Sequence, residues 1–241
     1  MLSYRLSDAS ESSGLYTVTP RPLQSKRFNI YKSKLRRRDG REMSTDTNDE
    51  SYFVTISIIT AVKTEGRLNS LKRLMNSLLK SLYPDSAYIP LRIAVDSDAS
   101  KETIEHVTRL VWPYGPKAIN RRVKKGGLVA AVAESFFPSS PLDHGVLLED
   151  DIEVSTHWFQ YVTSVLDLHY KDPDPRIIGI SLYNPRTIEV IASRGKFVKF
   201  NSTAITEQPL YAHQVPCSWG ALWFPEPWKV PNLGSAIHDR V

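Results

Sequence analysis

Residues 53–61 read FVTISIITA, a nearly continuous apolar run that is rich in β-branched side chains. A run of this kind is typical of a central strand that is covered on both faces. From Arg67 onward, leucines and Met75 recur at spacings of three and four residues, until Tyr83-Pro84 ends the pattern. That spacing is typical of an amphipathic helix. The stretch therefore predicts a strand followed by a helix, which is the opening of an α/β fold.

The same order of strand, turn and helix recurs three more times along the chain. The strand segments lie at residues 91–95, 116–123 and 145–148, and the turns that lead into the helices lie at residues 96–100, 124–127 and 149–155. Consecutive pairs of this kind predict a parallel sheet with right-handed crossovers. The fold class is therefore α/β, with a mainly parallel sheet flanked by helices.

The rest of the chain predicts further strands and an aromatic segment. Residues 176–182 read as a strand, and residues 187–192 and 196–200 read as a hairpin. Residues 217–228, CSWGALWFPEPW, contain three tryptophans and a phenylalanine. Such residues form part of a core in most proteins, but they also provide faces on which a sugar ring can stack. The pattern leaves both interpretations open.

Length and composition limit the class of protein. At 241 residues, with 41% hydrophobic and 24% charged residues, the chain has room for one α/β domain and a tail. This composition excludes a wholly disordered, collagen-like or multi-span membrane protein. A single cysteine, Cys217, excludes an intramolecular disulfide and a zinc site made of several thiolates. No apolar run is long enough for a transmembrane segment.

The first 51 residues differ from the remainder. They lack periodicity, and residues 26–41 hold a basic cluster that accounts for the formal net charge of +5. We therefore predict a disordered basic tail over residues 1–51 and one domain over residues 52–241. A nuclear address or a phosphate-binding arm is the alternative to a solvated tail. Nucleic acid is not the expected partner, because the charge is confined to the tail and no RNA-binding or finger motif accompanies it.

Three consecutive acids, Glu149-Asp150-Asp151, follow the apolar strand at residues 145–148. Ligands of open α/β sheets lie outside the carboxyl ends of the strands, and adjacent carboxylates repel one another unless a cation offsets their charge. Carboxylate oxygens suit Mg2+ or Mn2+, which complete their shells with water and substrate phosphates. The triplet predicts a divalent metal site, with a solvated acidic turn as the alternative.

Over roughly residues 53–228, the order of these parts resembles that of the nucleotide-diphospho-sugar transferases of the GT-A fold. It looks most like glycosyltransferase family 2 and the N-acetylglucosaminyltransferase I type. The resemblance implies a Rossmann-like, mixed and mainly parallel sheet flanked by helices. It also implies a metal-dependent hexosyltransferase that uses Mn2+ or Mg2+. Such an enzyme moves a sugar from a nucleotide-sugar donor, most readily a UDP-sugar, to a hydroxyl of a glycan, protein or lipid acceptor.

The resemblance also assigns roles to particular residues. The triplet stands where the family carries its DxD-type motif, so Asp151 would bind the metal directly and Asp150 would contact the ribose, the metal or its water. The residues implied at the nucleotide are Thr60, Arg67, Asp96, Asp98 and Lys124. Those implied at the acceptor or donor sugar are Ser181, Trp219 and Gly220. Glu226 and Asp239 are the acids available as catalytic base.

The C-terminus raises an alternative. The family usually continues with further helical sequence beyond the PEPW segment at residues 225–228, whereas this chain stops at Val241. We therefore also expect that the chain could be a truncated, non-catalytic GT-A-like module that binds a nucleotide or a partner. The expected location is the Golgi or ER lumen if the native form has an anchor, and the cytoplasm otherwise.

Overall fold

The computed structural model of the protein describes residues 2–4, 53–85, 87–184, 187–188, 198–199, 212–213 and 219–228. Its helices are α1 (Glu65–Leu79), α2 (Lys101–Arg109), α3 (Gly127–Ala133), α4 (Trp158–Lys171) and α5 (Pro225–Trp228). Its strands are β1 (Leu2–Tyr4), β2 (Phe53–Thr60), β3 (Leu91–Val95), β4 (Lys117–Arg121), β5 (Asp143–Glu149), β6 (Ile177–Ser181), β7 (Thr187–Ile188), β8 (Val198–Lys199), β9 (Ala212–His213) and β10 (Ala221–Trp223).

The main sheet has the strand order β4-β3-β2-β5-β10-β6-β1-β9. Strands β2, β3, β4 and β5 are parallel, while β10 lies antiparallel between β5 and β6. Strands β7 and β8 form a separate antiparallel pair, as the sequence predicts for a hairpin. The predicted fold class, a mixed and mainly parallel sheet flanked by helices, is confirmed.

The central strand β2 is buried at every position after Phe53, because neighbouring strands flank it and helices cover it. Helix α1 buries the side that the leucine spacing predicts, and its buried residues are Leu68, Leu71, Leu74, Met75 and Leu78. Helix α2 begins as expected, since the Ser100 hydroxyl accepts a hydrogen bond from the Thr103 backbone N–H at 3.2 Å. Periodicity therefore predicted α1 correctly, and α2 begins directly after the turn predicted at residues 96–100.

Helix α3 is shorter than the sequence predicts. The alanine-rich stretch after the turn at residues 124–127 predicts a helix from Leu128 to Phe137, but the helix ends at Ala133. Phe136 is 1% exposed and packs on Gly145 of β5 so closely that a Cβ on Gly145 would overlap the ring. The chain therefore leaves the helical path because Phe136 is buried against the sheet.

Three residues at the N-terminus depart from the predicted tail. Leu2–Tyr4 form β1, which pairs with β6 on one side and β9 on the other. Backbone pairing with a sheet edge needs no apolar periodicity in the added strand, so the sequence carries no signal for it. Residues 5–52 lie outside the described residues, and for them the tail remains a prediction.

The aromatic segment divides between core and surface. Trp223 and Phe224 are 3% and 4% exposed, so they belong to the core. Trp228 packs on Trp223, with ring centroids 5.2 Å apart, and donates a hydrogen bond from its indole N–H to the Phe136 carbonyl at 2.7 Å. Trp219, by contrast, is 43% exposed.

The order of the strands creates a switch point between β2 and β5. From β2 the chain proceeds to β3 and β4 on one side, and then returns to place β5 on the other side of β2. Connections that leave neighbouring strands in opposite directions open a crevice at their carboxyl ends, where α/β proteins bind ligands. Residues that follow β2 and β5 therefore line this crevice.

Candidate functional site

Asp150, the residue directly after β5, is the centre of a buried network. It is 4% exposed. Its Oδ2 accepts a hydrogen bond from the Thr60 hydroxyl at 2.7 Å, and its Oδ1 accepts one from Arg67 Nη2 at 3.0 Å. The Ala61 backbone N–H donates a longer bond of 3.4 Å to Oδ2. This carboxylate therefore joins the ends of β2 and β5 across the switch point.

Asp151 has a different environment from its neighbour. Its side chain is 53% exposed, and its Oδ2 lies 3.8 Å from Arg67 Nη2. This distance allows an ion pair but exceeds that of a hydrogen bond. One guanidinium nitrogen thus faces two carboxylates, bonded closely to the buried one and loosely to the exposed one. Asp151 is the acid whose oxygens are accessible to a ligand from solvent.

Asp96, which follows β3, accepts three hydrogen bonds from backbone N–H groups and is 6% exposed. Its Oδ1 accepts from Ser97 at 2.6 Å and Gly126 at 3.3 Å, and its Oδ2 accepts from Gly127 at 3.2 Å. Burial acts to raise the pKa of Asp96, but the three donors outweigh burial and lower the pKa below its ordinary value. The carboxylate therefore holds the loop before α3 against the end of β3.

Thr60 connects Asp96 and Asp150. Its backbone carbonyl accepts a hydrogen bond from the Asp96 backbone N–H at 2.9 Å, while its side-chain hydroxyl donates a hydrogen bond to Asp150. Glycine is favoured in the loop before α3, because Gly127 has a φ of +69°. The carboxyl ends of β2, β3 and β5 therefore form one connected, partly buried surface.

Asp98 forms a charged cluster with two lysines. Its Oδ2 lies 2.5 Å from Lys63 Nζ and 3.5 Å from Lys125 Nζ. The hydrogen bond from Lys63 is the main cause that holds the pKa of Asp98 below its ordinary value. Lys124, which the resemblance implies at the nucleotide, is the exposed neighbour of Lys125 in this loop, and its role there stays a prediction. Lys63 went unrecognised, although its place three residues after Thr60 puts it in the loop that follows β2.

Three further predicted residues lie near the same edge of the sheet. Because β10 is antiparallel, its first residue, Ala221, pairs with Leu147 of β5 and Ser181 of β6. Trp219 and Gly220 precede it, and Gly220 has a φ of +81°. Ser181 is buried and exchanges hydrogen bonds with the Tyr183 backbone, so its hydroxyl serves a local turn.

Trp219 is the exposed aromatic residue of this group. Its ring meets that of Tyr183 edge to face, with the centroids 5.1 Å apart. Tyr183 is half-buried, so the two rings form a small aromatic surface beyond the end of β6. The structure thus leaves open to solvent only one tryptophan of the described part of the aromatic segment that could stack on a sugar.

Glu226, one of the two candidates for the catalytic base, does not join this group. Glu226 lies on α5, which follows Trp223, and Trp223 pairs with Gly145 near the start of β5. Asp150 follows the other end of β5, so Glu226 is at the opposite edge of the sheet from the acids. Sequence order suggested proximity, but the antiparallel direction of β10 carries the chain away. Asp239 lies outside the described residues.

The carboxylates fit a hard divalent cation in chemical type, though not as a closed protein cage. In the described part of the chain, no group of three or more His, Cys, Asp or Glu side chains gathers as a metal site. Mg2+ and Mn2+ do not require such a group, since one or two carboxylates suffice where water and phosphates complete the shell. Of the two aspartates, Asp151 has the exposed carboxylate that could hold such a cation, whereas Asp150 is buried.

The chain is an α/β domain with aspartate, arginine and lysine side chains at the switch point of its sheet. Residues 69–231 match the family model described as SPBC1E8.03c C-terminal domain. Because the match covers more than half of the chain, the protein belongs to this family. No match was found among the curated proteins. Among the residues that the structure describes, no helix is long and apolar enough to cross a membrane.

Solved structures with a partial likeness are glycosyltransferases. The mannosyltransferase PcManGT from Pyrobaculum calidifontis, in complex with GDP-Man and Mn2+, is 12% identical with a TM-score of 0.41, and the match covers 58% of this chain and 40% of that one. S. aureus TarS 1-349 is 11% identical with a TM-score of 0.38, over 49% of this chain and 33% of that one. GalNAc-T7 with UDP, GalNAc and Mn2+ is 16% identical with a TM-score of 0.35, over 49% and 22%.

The chain therefore spans between about a fifth and two fifths of the length of these solved chains. TM-scores of this size do not establish a shared activity. The particular likeness to the N-acetylglucosaminyltransferase I type remains an expectation from the sequence.

Proposed function

We propose that the chain is a glycosyltransferase domain that takes a sugar from a nucleotide-diphosphate donor, a UDP-sugar, and passes it to a hydroxyl acceptor. The observation that carries the proposal is the joining of Thr60, Asp96 and Asp150 at the switch point of the sheet. Thr60 ends β2, while Asp96 and Asp150 directly follow β3 and β5. A ligand in the crevice would therefore meet groups that the sheet holds in place. In a solvated acidic turn the carboxylates would face water, whereas Asp96 and Asp150 are buried and hydrogen-bonded.

The charges around the acids match a diphosphate and a divalent metal together. Lys63 and Lys125 supply cationic groups from the loops that follow β2 and β4, and Arg67 supplies one from the first turn of α1. Phosphate oxygens bind such groups through charge-assisted hydrogen bonds. The lysines share one carboxylate oxygen of Asp98, so this cluster carries a net positive charge toward an incoming anion.

We assign different roles to the two aspartates. Asp151 would hold Mn2+ or Mg2+, because its carboxylate is exposed and loosely paired. Asp150 would keep Thr60 in place through its Oδ2, while its Oδ1 accepts the hydrogen bond from Arg67 in the free protein. When bound, the metal would stabilise the charge that develops on the departing diphosphate. The exposed ring of Trp219 would lie toward the sugar.

The test is thermal unfolding of the full chain with UDP or GDP, in Mn2+ or in EDTA. A ligand that binds only the folded state raises its stability, by about 2.7 kcal/mol at a hundredfold excess over Kd. We expect UDP with Mn2+ to raise Tm, and Asp151→Asn to abolish this rise. The matched control is Glu153→Gln, an exposed acid of the same loop that pairs with Arg73. An equal rise in the Asp151→Asn variant would contradict the assignment.

A second measurement separates transfer from binding alone. A transferase releases UDP from its UDP-sugar slowly even without acceptor, since water replaces the hydroxyl. A panel of UDP-sugars with Mn2+ should show UDP release by one of them, reduced in Asp151→Asn and kept in Glu153→Gln. Nucleotide binding without release from any donor would favour the non-catalytic module instead.

A further inference from the structure

Arg67 occupies the position in which the acid pair needs a cation. Its Nη2 lies 3.0 Å from Asp150 Oδ1 and 3.8 Å from Asp151 Oδ2. Among the described residues, the ion pairs of both aspartates are made with this one side chain. Adjacent carboxylates at one strand end repel each other unless a positive charge lies between them. In the free protein, Arg67 therefore supplies the charge that a divalent metal would otherwise bring.

Arg67 is the solvent-exposed partner of this contact. The Arg67 side chain is 60% exposed, and it extends from the first turn of α1 rather than from the core. Water can solvate the departing guanidinium, whereas the Asp150 side chain is only 6% exposed, so another cation has to replace the lost charge there. Asp150 would keep its hydrogen bond from Thr60 after Arg67 leaves. The arginine can thus move without collapse of the network below it.

We propose that Arg67 is an internal counter-ion that competes with the divalent metal for Asp150 and Asp151. When a metal binds, the guanidinium gives way and turns toward the diphosphate of the donor. The first part rests on the two distances and the exposure of Arg67. The second part rests on the proposed function, since it requires a nucleotide in the crevice.

The proposal predicts effects of opposite sign from a single substitution. Without nucleotide, removal of Arg67 should strengthen metal binding, because a competing cation is gone. With nucleotide and saturating metal, the same removal should weaken UDP binding, because a phosphate contact is gone. A residue with a merely structural role would weaken both.

The experiment measures the Kd of Mn2+ alone, by electron paramagnetic resonance of free Mn2+, for the full chain and its variants. We expect Arg67→Ala and Arg67→Gln to bind Mn2+ roughly 3- to 5-fold more tightly, because an exposed cation no longer competes for the acids. Arg67→Lys should lie between these variants and the wild type, because it keeps the charge.

Arg73→Ala is the matched control. Arg73 lies on the same helix, is 55% exposed, and pairs with Glu153 of the same loop at 3.1 Å. The Arg73→Ala substitution removes one positive charge without changing a contact of Asp150 or Asp151. Its Mn2+ affinity should stay within roughly 2-fold of wild type, since charges separated by solvent are screened.

The second measurement is the Kd of UDP by calorimetry at saturating Mn2+. Arg67→Ala should bind UDP roughly 10-fold more weakly, as expected for loss of a charged hydrogen bond. Thermal unfolding in EDTA checks that each variant is folded. If Arg67→Ala does not fold, Arg67→Gln, which keeps most of the side chain, carries both measurements.

The outcomes separate this proposal from the proposed function. It is overturned if the Arg67 variants bind Mn2+ no more tightly than Arg73→Ala, or if neither they nor the wild type binds Mn2+. UDP binding that depends on Asp151 would still support the donor site in that case. Tighter Mn2+ binding by the variants, with no UDP binding by any form, would support the counter-ion role while the donor site fails.

Discussion

Replacement of Asp96 by asparagine tests whether this acid holds the loop before α3 in place. The carboxylate accepts three backbone N–H groups, two on Oδ1 and one on Oδ2. Asparagine has one oxygen and one NH2 group, so it can serve the donors of only one side. One or two N–H groups are then left facing another donor in a site that is only 6% exposed. Asp96→Asn should therefore destabilise the fold.

The size of the effect follows from the number of donors that lose their acceptor. Each buried N–H group without an acceptor costs about 1–3 kcal/mol. We expect a loss of about 2–4 kcal/mol in the free energy of unfolding, measured by urea denaturation. The control is Asp98→Asn two residues away, which weakens the ion pairs to the exposed Lys63 and Lys125 and should change stability little. Equal stability of the two variants would refute the role of Asp96.

The effect should also depend on pH in a defined direction. Because the pKa of Asp96 is lowered from 3.8, its ionised form is favoured by folding. The stability that it contributes is fully present above pH 3.8 and is lost as pH falls through the lower pKa of the folded state. The difference between wild type and Asp96→Asn should therefore shrink below pH 3.8. A difference that grows as the solution is acidified would contradict the assignment of the cause.

Two further predictions concern the sheet and its buried histidine. Gly179→Ala should destabilise the fold by about 1–3 kcal/mol in urea, because the added Cβ would overlap the Leu222 backbone carbonyl. The control is Gly66→Ala, whose added Cβ meets nothing within 4 Å and which should be neutral or stabilising. A Gly179→Ala protein as stable as the wild type would contradict the close approach of β6 to β10. Burial lowers the pKa of His144 from 6.5 to about 4, so the wild type should lose stability as pH falls between these values. The loss should approach about 3 kcal/mol, and His144→Gln should flatten this dependence; an unchanged pH profile in that variant would argue against His144 as its source.

Local pattern was sufficient for much of this protein. The apolar run at residues 53–61 and the leucine spacing after Arg67 predicted β2 and α1, since burial on both faces or on one side leaves its period in the sequence. Glu149-Asp150-Asp151 was identified as a candidate site because it follows an apolar strand. The repeat of strand and helix predicted the parallel sheet, because crossover rules leave few other arrangements.

Contacts between distant residues needed the tertiary structure. Asp150 and Asp151 are adjacent and chemically alike in sequence, yet Asp150 is buried against Thr60, which is 90 positions away, while Asp151 is exposed. Nothing in a local pattern states which of two neighbouring acids will face inward. That choice depends on how β5 lies beside β2.

The direction of β10 had the largest effect on the candidate site. It places Gly220 near the acids and Glu226 at the other edge, although both belong to one short aromatic segment. The pairing of Gly126 and Gly127 with Asp96 likewise joins residues about 30 positions apart. The sequence thus determined which segments form strands and helices and which residue types could carry chemistry. Only the tertiary structure decided which of those residues meet, because strand order and direction depend on packing across the whole sheet.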